Sequence, residues 1–196
     1  MERQSTRAGK RDAIIAGAMR ILARDGAAGL TAASLAREAG VSKANVFHHF
    51  ETLNAVVLAA FEVFLLGMDG MRPLPGTRLR DWLLALGTET AAQMDDDPAL
   101  SGAYFAFAAR ARTDPDLRRR LAQLVETVEG RFADALALLA PERFTTAERS
   151  RLAALILITG DGLALHRQLF PERRDSQLAA WLDFVDSIAP KESGTP

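Results

Sequence analysis

Apolar residues recur along this chain at intervals of three and four, and no segment alternates strictly between apolar and polar, so the pattern predicts helices throughout. Ile14, Ile15, Ala18 and Leu22 mark one face of a first helix over about residues 8–24. Two short apolar sets follow: Leu35, Ala36 and Ala39, then Val41, Val46 and Phe50. Leu53, Val56, Val57, Ala60, Phe61, Phe64, Leu65 and Met68 form a broad stripe on a fourth helix, 53–70, which Gly70, Pro73, Pro75 and Gly76 break. Trp82, Leu83, Leu86 and Met94 mark the next helix, and Asp97-Pro98 and Asp114-Pro115 each supply a cap and a first-turn proline for another. Thr145-Thr146-Ala147-Glu148 reads as a capping box opening a helix to about residue 170, whose middle, 152–158, is apolar nearly all round. Leu178, Trp181, Leu182, Val185 and Ile188 give a last helix its own face, and residues 191–196 are expected to be a disordered tail.

The two short helices carry the most chemistry. Thr31 is placed to cap the first, Gly40 to end it in the left-handed conformation, and Ser42 to cap the second. With the apolar residues turned inward, Lys43, Ala44, Asn45 and His48 are left facing outward on the second helix, and such small and hydrogen-bonding side chains suit a major groove. The pattern predicts a helix-turn-helix unit suited to reading DNA. Charge agrees with it. Residues 1–50 carry eight Lys and Arg against four Asp and Glu, while the whole chain has a net charge of −1, so an electropositive head precedes an acidic body. Arg3, Arg7 and Lys10 are candidates for an arm reaching phosphates or a minor groove.

The order Asp25-Gly26, Leu30-Thr31, Leu35-Ala36, Ala39-Gly40-Val41-Ser42 and Phe47-His48-His49-Phe50 resembles the N-terminal domain of the TetR family of transcriptional regulators. The resemblance implies an all-α protein with a three-helix helix-turn-helix DNA-binding domain, 1–52, and a helical ligand-binding and dimerisation domain, 53–190. It also implies a homodimer acting on double-stranded DNA, most often as a repressor answering to a small-molecule effector. The DNA-contacting residues implied are Thr31, Ser42, Lys43, Ala44, Asn45, Phe47, His48 and His49. His49 matches the family histidine at the DNA-backbone face. Three positions depart from the family pattern: Phe47 replaces a Tyr, Leu53 replaces a Lys, and Ala44 replaces a Gly, so one hydroxyl and one cation expected at phosphates are missing. The Asp114-Pro115-Asp116-Leu117-Arg118 phrase, within a body bearing Trp and other aromatics, resembles the ligand domain of the choline-responsive regulator subgroup, and choline itself is not inferred from it.

Pairing of the last two long helices with those of a second subunit would cover the apolar band at 152–158, through Leu152, Leu155, Ile156, Thr159, Leu163, Leu178, Trp181, Leu182 and Val185. Gly160 and Gly162, flanking Asp161, would let helices approach closely. Trp82, Met94, Tyr104, Phe105, Phe107, Phe132 and His166 are the candidate ligand-pocket residues, with Tyr104 and His166 as polar handles.

Catalysis finds little in the chain. It has no cysteine, so disulfides, thiolate metal sites and thiol chemistry are excluded. Its three histidines supply neither a metal triad nor a nucleophile with its base. Asp95, Asp96 and Asp97 read as solvated, helix-favouring charge rather than a metal site. No catalytic residue, metal or cofactor is expected. The 196 residues are 48% hydrophobic without an 18-residue apolar run or a charged-then-apolar leader, so a cytoplasmic protein without a membrane span is expected. The alternative reading is a helical small-molecule-binding or enzymatic dimer whose DNA-binding head is vestigial.

Overall fold

The computed structural model describes residues 2–66, 72–96 and 98–191, so Gly70, Asp97 and most of the expected tail lie outside the described residues. Among those described, the chain forms nine α-helices and no strand: α1 (Glu2–Gly29), α2 (Ala32–Glu38), α3 (Lys43–His49), α4 (Leu53–Leu66), α5 (Leu79–Asp96), α6 (Pro98–Ala111), α7 (Pro115–Leu139), α8 (Thr146–Leu169) and α9 (Arg174–Ile188), with a 3-10 turn at Pro171–Arg173 before α9. The helical class read from the apolar spacing is therefore the one observed. The first helix starts earlier than the pattern predicts, so the backbone around Arg3, Arg7 and Lys10 is helix rather than arm; the side chains of Arg3 and Arg7 lie outside the described residues. It breaks at Gly26, whose φ of 66° is left-handed.

Packing divides the chain into two units that are discontinuous in sequence, 1–67 with 97–124 and 68–96 with 125–196, whereas the family resemblance implies one boundary at 52/53. In the first unit α1 is central, and α2, α4 and α6 pack on it. Ile14, Ile15, Ala18, Ile21 and Leu22 of α1 are buried together with Leu35, Val46, Phe50, Val56, Val57 and Phe61. Each fully buried Ile, Leu or Phe contributes about 1.5–3 kcal/mol relative to exposure. The end of α2 is tied to α1 by Arg20, whose Nε donates to Glu38 Oε1 at 2.7 Å and whose Nη2 donates to Glu38 O at 3.2 Å. That arginine, with Arg24, holds the Glu38 carboxyl below its usual range.

In the second unit α5 packs on α8 and α9, and α8 packs on α9. Trp181 of α9 is buried, and its indole Nε1 donates to Leu83 O of α5 at 2.9 Å. The indole lies over Gly87, where a Cβ would sit closer than 3.0 Å to Nε1, Cε2 and Cδ1, so only glycine admits the ring at this depth. The carbonyls left free at the end of α9 are met by cations: Arg80 donates to Ala189 O (2.9 Å) and pairs with Asp186, and Arg143 donates to Ile188 O (2.6 Å). Gln177 Nε2 closes the end of α8 by donating to His166 O and Phe170 O, each at 3.0 Å.

Asp95 corrects the sequence reading. It is no solvated charge, because Arg167 grips it from α8 through Nη2 to Oδ2 (2.6 Å) and Nε to Oδ1 (3.1 Å), and Arg174 pairs with it at 3.1 Å. The hydrogen bond from Arg167 is the main reason its carboxyl stays below the usual range. Arg167 itself is buried, so this pair joins the end of α5 to α8 and to the start of α9.

Candidate nucleic-acid interface

The turn between α2 and α3 is built from local hydrogen bonds that the sequence specifies. Thr31 Oγ1 accepts from Ser34 N at 3.0 Å while Ser34 Oγ accepts from Thr31 N at 2.9 Å, a reciprocal box with serine in the place of the usual glutamate. At the far end Val41 N donates to Ala36 O (2.9 Å) and Gly40 N to Arg37 O (3.3 Å), and Gly40 takes φ 65°, which together make a Schellman closure. Ser42 Oγ then accepts from Asn45 N at 3.1 Å and starts α3.

This geometry sorts the seven residues of α3 cleanly. Val46 has no exposed surface and faces the core, followed by buried Phe50, over whose ring the Arg11 guanidinium sits at 5.2 Å. Lys43, Ala44, Phe47 and His48 are exposed, at positions i, i+1, i+4 and i+5 of one helix face. Asn45 and His49 are half-buried at its flanks, and the His49 ring meets that of His48 edge-on at 5.4 Å. Thr31 and Ser42 are exposed. The Ser42 oxygen accepts the capping bond, which leaves its O–H proton free to donate to a phosphate oxygen.

Leu53, the first residue of α4, is half-buried. Its neighbour Asn54 forms a bridge that sequence reading missed. Asn54 Nδ2 donates to Asp114 Oδ2 at 2.6 Å, and Arg110 Nη2 donates to Asn54 Oδ1 at 2.5 Å. Asp114 Oδ1 meanwhile accepts from Leu117 N (3.0 Å) and Asp116 N (3.1 Å), capping α7. These backbone bonds, Leu117 first, with the Asn54 amide and Arg110 beyond them, hold the Asp114 carboxyl below its usual range. The bridge fixes the start of α4, four residues after α3 ends, to the corner between α6 and α7. Its members stand 56 and 60 residues apart in the chain, so no local pattern announces it.

The residues expected at a dimer face divide into two sets. Ile156, Leu163, Trp181 and Val185 are buried within the protomer's own second unit and present little to a partner. Leu155 is 45% exposed and Leu182 44%, while Leu152, Thr159 and Leu178 are half-buried. Ile158, at 67%, and Leu169, at 56%, are exposed apolar residues of α8 that were not in the expected set. Thr159 donates its hydroxyl to Leu155 O at 2.8 Å and so turns no unmet donor outward. A Cβ on Gly160 or Gly162 would meet nothing within 4 Å, so these glycines face open space in the protomer rather than a neighbouring helix of the same chain.

Of the expected ligand-pocket residues, Trp82 and Phe132 are brought together, buried and edge-to-face with centroids 6.0 Å apart. Met94 is buried in the same unit. The Trp82 indole N–H has no acceptor among the described residues. His166 is exposed and stands edge-on to Phe170 at 5.4 Å. Phe105 is half-buried on α6, which also carries Tyr104 and Phe107, whose side chains lie outside the described residues. An open groove of about 820 Å³ in the first unit is lined, among the described residues, by Gly26, Ala28, Ala106, Ala109, Arg110, Thr113, Asp114 and Pro115, and so by none of Trp82, Met94, Phe105, Phe132 and His166. Among the described residues no cluster of three His, Asp or Glu is disposed to hold a metal, and no helix is long and apolar enough to cross a membrane.

Comparison with known proteins agrees with this geometry. The family model for bacterial regulatory proteins of the tetR family matches residues 14–60, and that for the C-terminal domain of BetI-type transcriptional repressors matches residues 79–190. No curated protein matches the chain. Similar solved structures include a transcriptional regulator from Rhodococcus sp. RHA1, 23% identical with a TM-score of 0.71, covering 93% of this chain and 98% of that one. Reduced NemR from E. coli is 19% identical with a TM-score of 0.74, covering 93% and 100%. The multidrug binding protein EbrR, solved with imidazole, is 23% identical with a TM-score of 0.67, covering 94% and 97%. With a tetR-type head on residues 14–60 and a BetI-type body on residues 79–190, the chain belongs to the TetR family of bacterial transcriptional regulators.

Proposed function

We propose that this regulator is a cytoplasmic, homodimeric repressor that binds an inverted-repeat operator in double-stranded DNA and is released by a small-molecule effector. The observation that carries the reading is the exposed face of α3, where Lys43, Ala44, Phe47 and His48 stand clear of a core that Val46 and Phe50 complete. A side chain left outside its own fold on a two-turn helix has the reach to touch base edges, with Asn45 and His49 at the margins, Ser42 donating to a phosphate and Thr31 beside it at the start of α2. In the dimer two such helices enter major-groove faces about 34–36 Å apart.

The dimer face is carried by Leu155, Ile158, Leu169 and Leu182, with Leu152, Thr159 and Leu178 beside them and the open surface at Gly160 and Gly162 allowing close approach. Exposed apolar residues spaced along one helix are costly in a monomer and are covered in a bundle. The effector site is assigned to the aromatic body, with Trp82, Met94 and Phe132 as apolar wall and Tyr104, Phe105, Phe107 and His166 as further candidates. EbrR, a structural neighbour, is a multidrug binding protein, which fits an aromatic, mostly apolar site. An effector shifts the dimer toward a form whose heads no longer match the groove spacing, by no more than its difference in affinity for the two forms.

The test is a gel shift on the DNA upstream of the protein's own gene, run with sedimentation equilibrium. Wild type is expected to be a dimer that shifts this DNA specifically. Leu155→Arg is expected to give a folded monomer that does not. A wild type that is a stable monomer at micromolar concentration, or that binds this DNA no better than random DNA, would favour the small-molecule-binding or enzymatic alternative.

A further inference from the structure

The outward face of α3 is half apolar, and apolar side chains in a major groove have one kind of partner. We propose that Phe47, together with Ala44, makes the recognition helix a reader of thymine 5-methyl groups; this rests on α3 being the groove helix. The Phe47 ring stands outside the core. It is 48% exposed, while its neighbour Val46 is fully buried and Phe50 is 6% exposed, so the inward side of α3 is already filled. Ala44 lies three residues earlier on the same face and is also exposed.

A phenyl ring has no hydrogen-bond donor and presents a negative face, so it cannot anchor a phosphate as a phenol would. Of the four bases only thymine offers an apolar group in the major groove, its C5-methyl. Three residues of helix separate Ala44 from Phe47 by about 4.5 Å along the axis, somewhat more than one base step of about 3.4 Å. The two side chains therefore address neighbouring base pairs. Lys43, one turn before Phe47 on this face, suits the O6 and N7 acceptors of a guanine, and a half-site combining thymines with an adjacent guanine is the expected target.

The experiment starts by selecting a binding fragment from random DNA with the wild-type dimer. Each thymine of the fragment is then replaced by uracil, which removes the methyl and nothing else. In wild type, one or two thymines per half-site are expected to lose about fourfold in affinity each, as burial of one methyl carbon implies, with both half-sites substituted together losing about sixteenfold. In Phe47→Ala the loss at the thymine facing the ring should vanish while the loss facing Ala44 persists. Phe47→Tyr, which keeps the ring, should retain both. Equal binding of thymine and uracil fragments by wild type, or uracil losses that persist unchanged in Phe47→Ala, would overturn the inference while leaving DNA binding intact. If wild type enriches no sequence at all, the reading of α3 as a groove helix falls and takes the inference with it. Because Phe47 is exposed, both variants should keep the wild-type thermal midpoint, and a drop of more than a few degrees would show that the ring belongs to the fold instead.

Discussion

Gly87→Ala probes the packing of α5 against α9, and two opposed effects decide its sign. On an exposed helix face the change would stabilise by about 1 kcal/mol, because alanine is the better helix former. At Gly87 the new methyl would lie closer than 3.0 Å to three atoms of the Trp181 indole, and the ring cannot swing aside freely, since it is buried and its Nε1 is bonded to Leu83 O at 2.9 Å. Overpacking of this kind costs about 1–3 kcal/mol, and displacing the indole also forfeits a buried hydrogen bond worth about 1 kcal/mol. The propensity gain and the hydrogen-bond loss roughly cancel, leaving a net destabilisation of about 1–3 kcal/mol. For a chain of this length that lowers the thermal midpoint by about 2–4 °C per kcal/mol. The assay is thermal unfolding by circular dichroism at fixed protein concentration, with tryptophan emission reporting on the displaced ring. Gly130→Ala on α7 is the control, because a Cβ there meets nothing within 4 Å, and it should raise the midpoint. If Gly87→Ala raises the midpoint as the control does, the close approach of α5 and Trp181 is not present in solution.

Three further outcomes are expected. Asp95→Asn should cost about 1.5–3 kcal/mol at neutral pH, since a charge-assisted bond to buried Arg167 is lost; because the folded Asp95 pKa is depressed, this stability is present above the ordinary carboxylate value of about 3.9 and is lost as pH falls through the folded value, so the variant's midpoint should fall less steeply in acid than that of wild type. Asn54→Ala should cost about 1–3 kcal/mol in urea unfolding, because it releases both Arg110 and Asp114, and no loss would mean that the bridge is not formed. Leu53→Lys should tighten binding to specific and random DNA alike and steepen the slope of log K against log salt by about 0.9 per added phosphate contact per subunit; an unchanged slope would show that the start of α4 does not face a phosphate.

What could be read from the sequence was whatever is decided locally. Thr31, Gly40, Ser42, Thr145 and Glu148 act on backbone groups within five residues of themselves, so spacing alone predicts the caps found there. The faces of α3 follow in part: Val46 and Phe50 are buried and Lys43, Ala44 and His48 exposed as the spacing predicts, but Asn45, expected outward, is half-buried, and Phe47 joins the exposed face. The run at 152–158 is different. Leu155 and Ile156 are both apolar, and nothing in the pattern says that one is exposed and the other buried; α5 and α9 decide it by packing on one side of α8. Asp95 looked solvated for a related reason, since its partners Arg167 and Arg174 are more than seventy residues away. The aromatic body was legible as apolar helix but not as a site: Trp82 and Phe132 do meet, whereas His166, chosen as a polar handle, is exposed beside Phe170.

The central claim, that α3 reads DNA as one half of a two-fold dimer, is tested most directly by selecting from a pool of random duplexes with wild type and with Lys43→Ala. Wild type should enrich an inverted repeat whose half-site centres lie about 10–10.5 base pairs, or a multiple of that, apart, and Lys43→Ala should enrich the same spacing with relaxed preference at one base pair per half-site. Enrichment of a sequence without two-fold symmetry, or an identical preference from wild type and Lys43→Ala, would contradict it.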